Sequence, residues 1–408
     1  MTADLISLTI IALVSALCPI VANVIPRKLV PETVMLLLAG ALLGPHGANV
    51  IWLTDSVSLL SELGLAFLFL LAGYEINPKS LMGSQGKRGL ATWAISFVVA
   101  YVILSLAFEF PSDLEVVALT VALTTTALGT LLPILKERGL MGTRLGESVL
   151  AYGTWGELGP VLAMALLLST RAGWKTIVIL LIFAILCLIV AIVPTRSKRA
   201  GTRLYHFLTE RADTTSQTMM RLTVLMLMML VAFSALFDLD IVLGSFAAGF
   251  ILRYVIPEGN HNLETKLDGI AYGFLIPLFF VVSGAKIDLT SVAQRPVLLV
   301  SFIVSLLIIR CLPVYIALST GKDTRDMSQH NRATVALYCT TALPLIVAVT
   351  SVAVNAEVMT QSTAGVLVAA GAVTVFLMPL LASITYRMVG TNPPSDQRNH
   401  TDEPDSKY

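Results

Sequence analysis

Apolar runs of about twenty residues follow one another along almost the whole sequence, and nothing else in it constrains the fold as strongly. A helix rises 1.5 Å per residue, so a run of ~20 residues crosses a hydrocarbon core ~30 Å thick. Inside that core every backbone N–H and C=O must find a partner within the protein, which leaves helices or a closed barrel. These runs are continuously apolar rather than alternating, so they read as helices. Composition agrees: of 408 residues 56% are hydrophobic and 13% charged, with a mean hydropathy of +0.83. That excludes an ordinary soluble enzyme. A net charge of +1 gives no basis for a nucleic-acid partner. Cys18, Cys187, Cys311 and Cys339 are isolated in apolar segments, with neither disulfide nor zinc spacing. His46, His206, His261, His330 and His400 fall in or beside connections, away from any buried metal or haem centre. The first apolar run has no basic flank or cleavage motif, so it is expected to be a retained helix.

Bounded by Pro, Gly and charged residues, the runs give thirteen expected spans. They cover residues 4–25, 32–49, 57–76, 90–110, 115–135, 147–169, 174–194, 218–237, 239–256, 268–286, 297–319, 333–354 and 361–388. Basic residues test the count, because they should gather in alternate connections on the cytoplasmic side. Of the 27, all but Arg171, Lys175, Lys286, Arg295 and Arg310 fall after odd-numbered spans or in the tail. The expected orientation therefore has the N-terminus outside and the C-terminus cytoplasmic. Residues 391–408 are polar and proline-containing and read as a disordered cytoplasmic tail.

Laying the first six spans against the last six brings out an internal repeat. Ala39-Gly40 corresponds to Ala248-Gly249, and F-L-L-A-G-Y-E-I-N from Phe69 to F-V-V-S-G-A-K-I-D from Phe280. Thr125-Thr126-Ala127-Leu128 corresponds to Thr340-Thr341-Ala342-Leu343, each followed by a proline, Pro133 and Pro344. The matches are seven spans apart, an odd number, so the halves must run in opposite directions through the membrane. The expected fold is an all-α polytopic membrane protein with about 13 transmembrane helices. A membrane transport domain over 1–390 contains two inverted six-helix repeats, roughly 1–170 and 218–390, joined by a connecting helix at 174–194. Inverted repeats with interrupted helices characterise alternating-access transporters, whose site lies near mid-membrane.

The interruptions are expected in the fifth and twelfth spans, where Thr125, Thr126, Gly129 and Pro133, and then Thr340, Thr341 and Pro344, favour unwound backbone. Unwound backbone at membrane depth must be buried or line a cavity. In the next span Glu157 stands mid-run, flanked by Gly153, Gly156, Gly159 and Pro160. A carboxylate there costs about 2.5–3.5 kcal/mol on insertion scales, so a functional group is the default reading. Arg310, in the eleventh span, is read as its charge partner, the alternative being a side chain that snorkels to the interface. Glu75 and Lys286 occupy matching positions in the repeat, near span ends, where capping and a site role remain equally open.

The order of L-F-L-L-A-G-Y-E from Leu68, A-L-T-T-T-A-L-G-T-L-L-P-I-L-K-E-R-G from Ala122, the acidic residue of the next span and P-L-F-F-V-V-S-G from Pro277 resembles the monovalent cation:proton antiporters, in particular their Kef-like branch. The resemblance implies a core of broken helices rocking against a dimerisation domain, with Na+ or K+ bound at an acidic residue in the sixth span. That residue matches Glu157; the polar residue commonly before it matches Gly156, the family's basic residue matches Arg310, and its broken-helix threonines match Thr125 and Thr126. Two departures stand out. Glu replaces the usual Asp, and Gly156 supplies no oxygen, which makes Thr125, Thr126, Thr154 and backbone carbonyls the candidate ligands. The large cytoplasmic nucleotide-binding domain of Kef-type systems is not found in the sequence, so no attached sensor domain is expected.

The function expected is exchange of Na+ or K+ for protons in a prokaryotic cell membrane, without a cofactor, by a homodimer. Arg310 keeps its proton in any working range, so a single exchanging carboxylate, Glu157, implies one-for-one, electroneutral exchange. The competing expectations are a Na+-coupled symporter of a small organic anion, which needs a roomy polar cavity at the site, and a membrane sensor, which needs a signalling domain. No intramembrane protease motif occurs in the spans.

Overall fold

The structure, a computed structural model, describes residues 2–24, 32–76, 83–107, 112–167, 181–183, 185, 187, 217–237, 239–256, 260–321, 323–325 and 327–388. Among these there are helices and no strands. In chain order they are α1 (Thr2–Val24), α2 (Glu32–Leu43), α3 (Asp55–Glu75), α4 (Ser84–Ala107), α5 (Asp113–Leu123), α6 (Leu128–Glu137) and α7 (Arg144–Leu167), then α8 (Thr218–Leu236) and α9 (Ile241–Val255). The chain continues as α10 (His261–Ile270), a π-turn (Ala271–Leu275), α11 (Ile276–Ala285), α12 (Leu289–Gln294), α13 (Pro296–Leu306), a second π-turn (Leu307–Cys311), α14 (Leu312–Thr320), α15 (Gln329–Tyr338), α16 (Leu343–Asn355) and α17 (Gln361–Met388).

Nine stretches among the described residues are long and apolar enough to cross a membrane. The difference from thirteen has physical reasons. The second and ninth expected spans fold as short helices of 12 and 15 residues. The sixth, α7, has 24 residues but is diluted by its glycines, Pro160 and Glu157. Most of the expected connecting helix 174–194, and all of the tail 391–408, lie outside the described residues.

The repeat is written in the packing. α3 lies along α9 and α2 along α11, so each half contributes one helix to each pair. Side chains are excluded at equivalent points of the two contacts. A Cβ on Gly40 would strike the Val281 carbonyl, and one on its counterpart Gly249 would strike that of Leu70, the counterpart of Val281. Likewise a Cβ on Gly284 would strike the Leu37 carbonyl and one on Gly73 that of Phe246. Such exchanged contacts are what a pseudo-twofold relation between the halves produces, and small residues allow the backbones this close approach. Gly249→Ala is expected to destabilise by about 1–3 kcal/mol through overpacking, seen as a lower melting temperature in detergent. Gly269→Ala, where a Cβ meets nothing within 4 Å, should melt like the parent; equal melting of both variants would refute the close contact.

The two interrupted spans meet at their breaks. α5 ends at Leu123 and α6 begins at Leu128, while α15 ends at Tyr338 and α16 begins at Leu343. Threonines end the first halves by turning hydroxyls onto carbonyls of the last turn: Thr124 onto Thr120 O (2.9 Å), Thr125 onto Ala122 O (2.7 Å) and Thr340 onto Ala336 O (2.8 Å). Pro344, lacking an N–H, sits in the first turn of α16, where none is needed. The strands of unwound chain then join, Ala127 N–H donating to Thr341 O at 2.8 Å and the Thr126 hydroxyl to Cys339 O.

Candidate ion-binding site

Helix α7 runs past this crossing and is bound to it through a defect of its own. Pro160 cannot donate to the carbonyl of Gly156 four residues earlier. That carbonyl instead accepts the Thr126 N–H at 2.7 Å. The glycines bring neighbours in closely: a Cβ on Gly153 would meet the Leu128 side chain, one on Gly159 the Trp93 ring, and one on Gly156 both Thr126 and the Arg310 guanidinium.

Glu157 is 3% exposed and held against the start of α6. Its carboxylate lies close to the backbone N–H of Leu128, the first residue of that half-helix. A helix N-terminus carries partial positive charge, which stabilises an anion there. One of its oxygens, Oε2, is buried without a hydrogen-bond partner. Glu157 lines a narrow cavity of about 40 Å³ whose oxygen-bearing walls are Glu157, Glu75, Thr33, Thr130 and Tyr272. Glu75 Oε2 and Thr33 Oγ1 are likewise buried and unpartnered. The Thr130 hydroxyl donates to Ala127 O at 3.0 Å. Tyr272 stands on the first π-turn, a local widening of the helix that recurs at functional sites.

Two expectations are corrected, and the open position of Glu75 and Lys286 is resolved. Arg310, fully buried on the second π-turn, does not pair with Glu157. Its Nε donates to Thr126 Oγ1 and its Nη2 to Tyr152 O, both at 2.9 Å. It is drawn there because the carbonyl ends of α5 and α15 face the crossing and carry partial negative charge, and because Gly156 leaves the room. Nor do the expected threonine ligands face the cavity. Thr125 and Thr154 (2.7 Å to Leu150 O) bond back to their own helices, and the hydroxyl of Thr126 joins Cys339 O to Arg310. Finally, Glu75 and Lys286 part company. Glu75 shares the cavity with Glu157, whereas Lys286 lines a different one. Of the break residues, Gly129 and Pro344 line the small cavity, Thr340 and Thr341 are fully buried at the crossing, and Pro133 lies within α6. Thr130 was within reach of a sequence reading, one residue beyond Gly129; Thr33 and Tyr272 carried no such signal.

The family model described as "Sodium/hydrogen exchanger, transmembrane" matches residues 11–387. The chain belongs to the sodium/hydrogen exchanger family. Within this family it is 25% identical over 404 residues to "Putative Na(+)/H(+) antiporter YjbQ" of Bacillus subtilis (strain 168), covering 93% of this chain and 63% of that one. The chain thus spans less than two thirds of the length of that relative. It is 22% identical over 281 residues to "Probable Na(+)/H(+) antiporter 3" of Methanocaldococcus jannaschii, covering 66% of this chain and 69% of the relative. In structure it is similar to the sodium proton antiporter MjNhaP1 from the same organism, with a TM-score of 0.63, 16% identity, and coverage of 95% of this chain and 100% of that chain. At that identity the likeness supports the fold: this exchanger-family chain is a multi-pass, all-helical membrane protein.

Proposed function

We propose that the chain exchanges a monovalent cation, Na+ or K+, for protons by alternating access, with Glu157 as the site that both occupy in turn. The observation that carries this reading is that Glu157, buried and with its Oε2 unpartnered, lines a cavity of about 40 Å³. A cavity needs ~10–15 Å³ to hold one water, so there is room for an alkali cation with a water or two and none for an organic anion. That size disfavours the symporter reading. The walls offer carboxylate and hydroxyl oxygens, the ligands that hard cations take.

Glu75 enters the mechanism as a second oxygen ligand. Two like charges facing one narrow cavity repel, so the pair would carry one net negative charge, matched by one proton or one monovalent cation. Exchange would then remain one-for-one and electroneutral, although two carboxylates rather than one line the site. Neutralisation of that charge by either ion would permit the crossing to move against the surrounding helices. The inverted-repeat transport domain over 1–390, the outside N-terminus and cytoplasmic C-terminus, the cell-membrane location, the homodimer and the Kef-like affinity belong to the same proposal. They rest on the repeat, the basic connections and the motif resemblance.

The test is cation-triggered proton movement in proteoliposomes carrying an internal pH dye, with Na+, K+ and Li+ added in turn. Dye response to one of these without a transmembrane current supports the reading; a current dependent on membrane potential contradicts electroneutrality, and no response from folded protein contradicts exchange. Glu75→Gln is expected to raise the apparent KM for the cation about tenfold, since a charge-assisted contact is worth ~1.5–3 kcal/mol and 1.4 kcal/mol is a factor of ten. An unchanged KM would remove Glu75 from the site.

A further inference from the structure

A second, larger cavity of about 350 Å³ lies on the other side of α16's first turns, lined among others by His46, Ser283, Lys286, Thr350, Ser351 and Asn355. Pro344 and Leu345 border the Glu157 cavity and Val347 borders this one. Between them Leu345, Ile346 and Val347 are buried, at 2%, 0% and 3% exposure, and separate the two spaces with an apolar layer.

The repeat gives the pair of cavities a chemical meaning. In the register that the packing of Gly73 and Gly284 supports, Lys286 is the counterpart of Glu75. The small cavity therefore carries an acidic side chain where the large one carries a basic one. Among the described residues no carboxylate lines the large cavity. Asp288, two residues beyond Lys286, caps α12, its Oδ1 accepting the Thr290 N–H at 2.9 Å. Lys286 itself is half-buried, and its carbonyl accepts a hydrogen bond from Gln361 Nε2 at 2.9 Å, which ties the end of α11 to the start of α17 at the cavity wall.

We propose that the large cavity is the access route from the face opposite the basic connections, and that Lys286 is a specificity-determining residue that lowers cation affinity on that face alone. This rests on the exchange reading. A cation entering beside the ammonium group is repelled, whereas one entering beside Glu75 is attracted. The exchanger would then bind its cation more weakly from one side than from the other, a built-in asymmetry between two halves that otherwise share their packing.

Two measurements separate this proposal from the reading beneath it. In oriented proteoliposomes Lys286→Ala is expected to lower the apparent KM on the face opposite the basic connections about 3- to 10-fold, and Lys286→Glu further, as a unit charge some 5 Å away in a watery space implies. KM on the other face and kcat should move by less than about twofold, and added inert salt should shrink the effect. Equal shifts on both faces, or none, overturn the proposal. Independently of transport, Ser283→Cys in a cysteine-free background should react from that face with impermeant thiosulfonates, the anionic reagent faster than the cationic one. Adding Lys286→Ala should abolish that preference. A preference that survives, or a thiol that does not react, overturns the proposal; normal charge preference in a protein that exchanges nothing would instead count against the exchange reading while leaving the electropositive cavity standing.

Discussion

Glu157→Gln is expected to abolish cation:proton exchange while leaving the protein folded. The amide has the shape of the carboxylate, and the contact between α7 and the start of α6, where Gly153 meets the Leu128 side chain, does not depend on the charge. What disappears is the exchangeable charge of the side chain that lines the cavity. Loss of a positioned proton-transfer group lowers rates by ~10²–10⁴-fold, and here the same group would also be a cation ligand, so the upper part of that range applies. The check is the pH-dye assay beside a thermal melt of the same preparation. Glu157→Asp, which withdraws the carboxylate by one methylene, should retain exchange with a changed cation KM. A Gln variant that melts and exchanges like the parent would show that the site lies elsewhere.

What the sequence disclosed and what it concealed divide along physical lines. Hydrophobic runs, threonine-rich interruptions and the matched pairs Gly40/Gly249 and Gly73/Gly284 are local patterns, and a helix that ends at Leu123 or Tyr338 is ended by its own threonines. These were legible. Glu157 was legible too, because a carboxylate in an apolar run is conspicuous wherever the run packs. Its surroundings were not. Thr125, Thr126 and Thr154 have the right chemistry for ligands, but a hydroxyl in or beside a helix readily bonds a nearby backbone carbonyl, and theirs do. Glu75 sits at the end of a span by counting. Only the packing of α3 beside α6 carries its carboxylate to the cavity wall. Pro160 was legible as a helix irregularity, yet its consequence, a Gly156 carbonyl free for Thr126, depends on a partner from another element.

Arg310 shows the same limit and yields the sharpest structural prediction. A charge-pair reading joins the two conspicuous charges of the membrane interior, whereas the structure places the guanidinium where Gly156 has no side chain and lets it bridge Thr126 to Tyr152 O. Glycine at 156 and arginine at 310 should therefore be energetically coupled. Gly156→Asn, which brings in the polar residue common at this place in the resembling family, is expected to displace the guanidinium, break both hydrogen bonds and destabilise by about 3 kcal/mol or more, since bonds from charged groups contribute ~1.5–3 kcal/mol each. Arg310→Ala should cost about as much alone. Combined, the two should cost at least ~1 kcal/mol less than their sum, because an Asn amide can enter the space that the guanidinium vacates, and contacting residues couple by ~0.5–3 kcal/mol. Arg310→Lys tests geometry apart from charge: one ammonium on a flexible stem lacks the planar fork that reaches both acceptors, so it should recover little of the stability. Strict additivity of the first two substitutions in denaturation or melting would mean that the guanidinium does not depend on the missing side chain. Coupling of the expected sign would mean that this chain holds its crossing together with Arg310, and that the missing side chain at Gly156 is the condition for it.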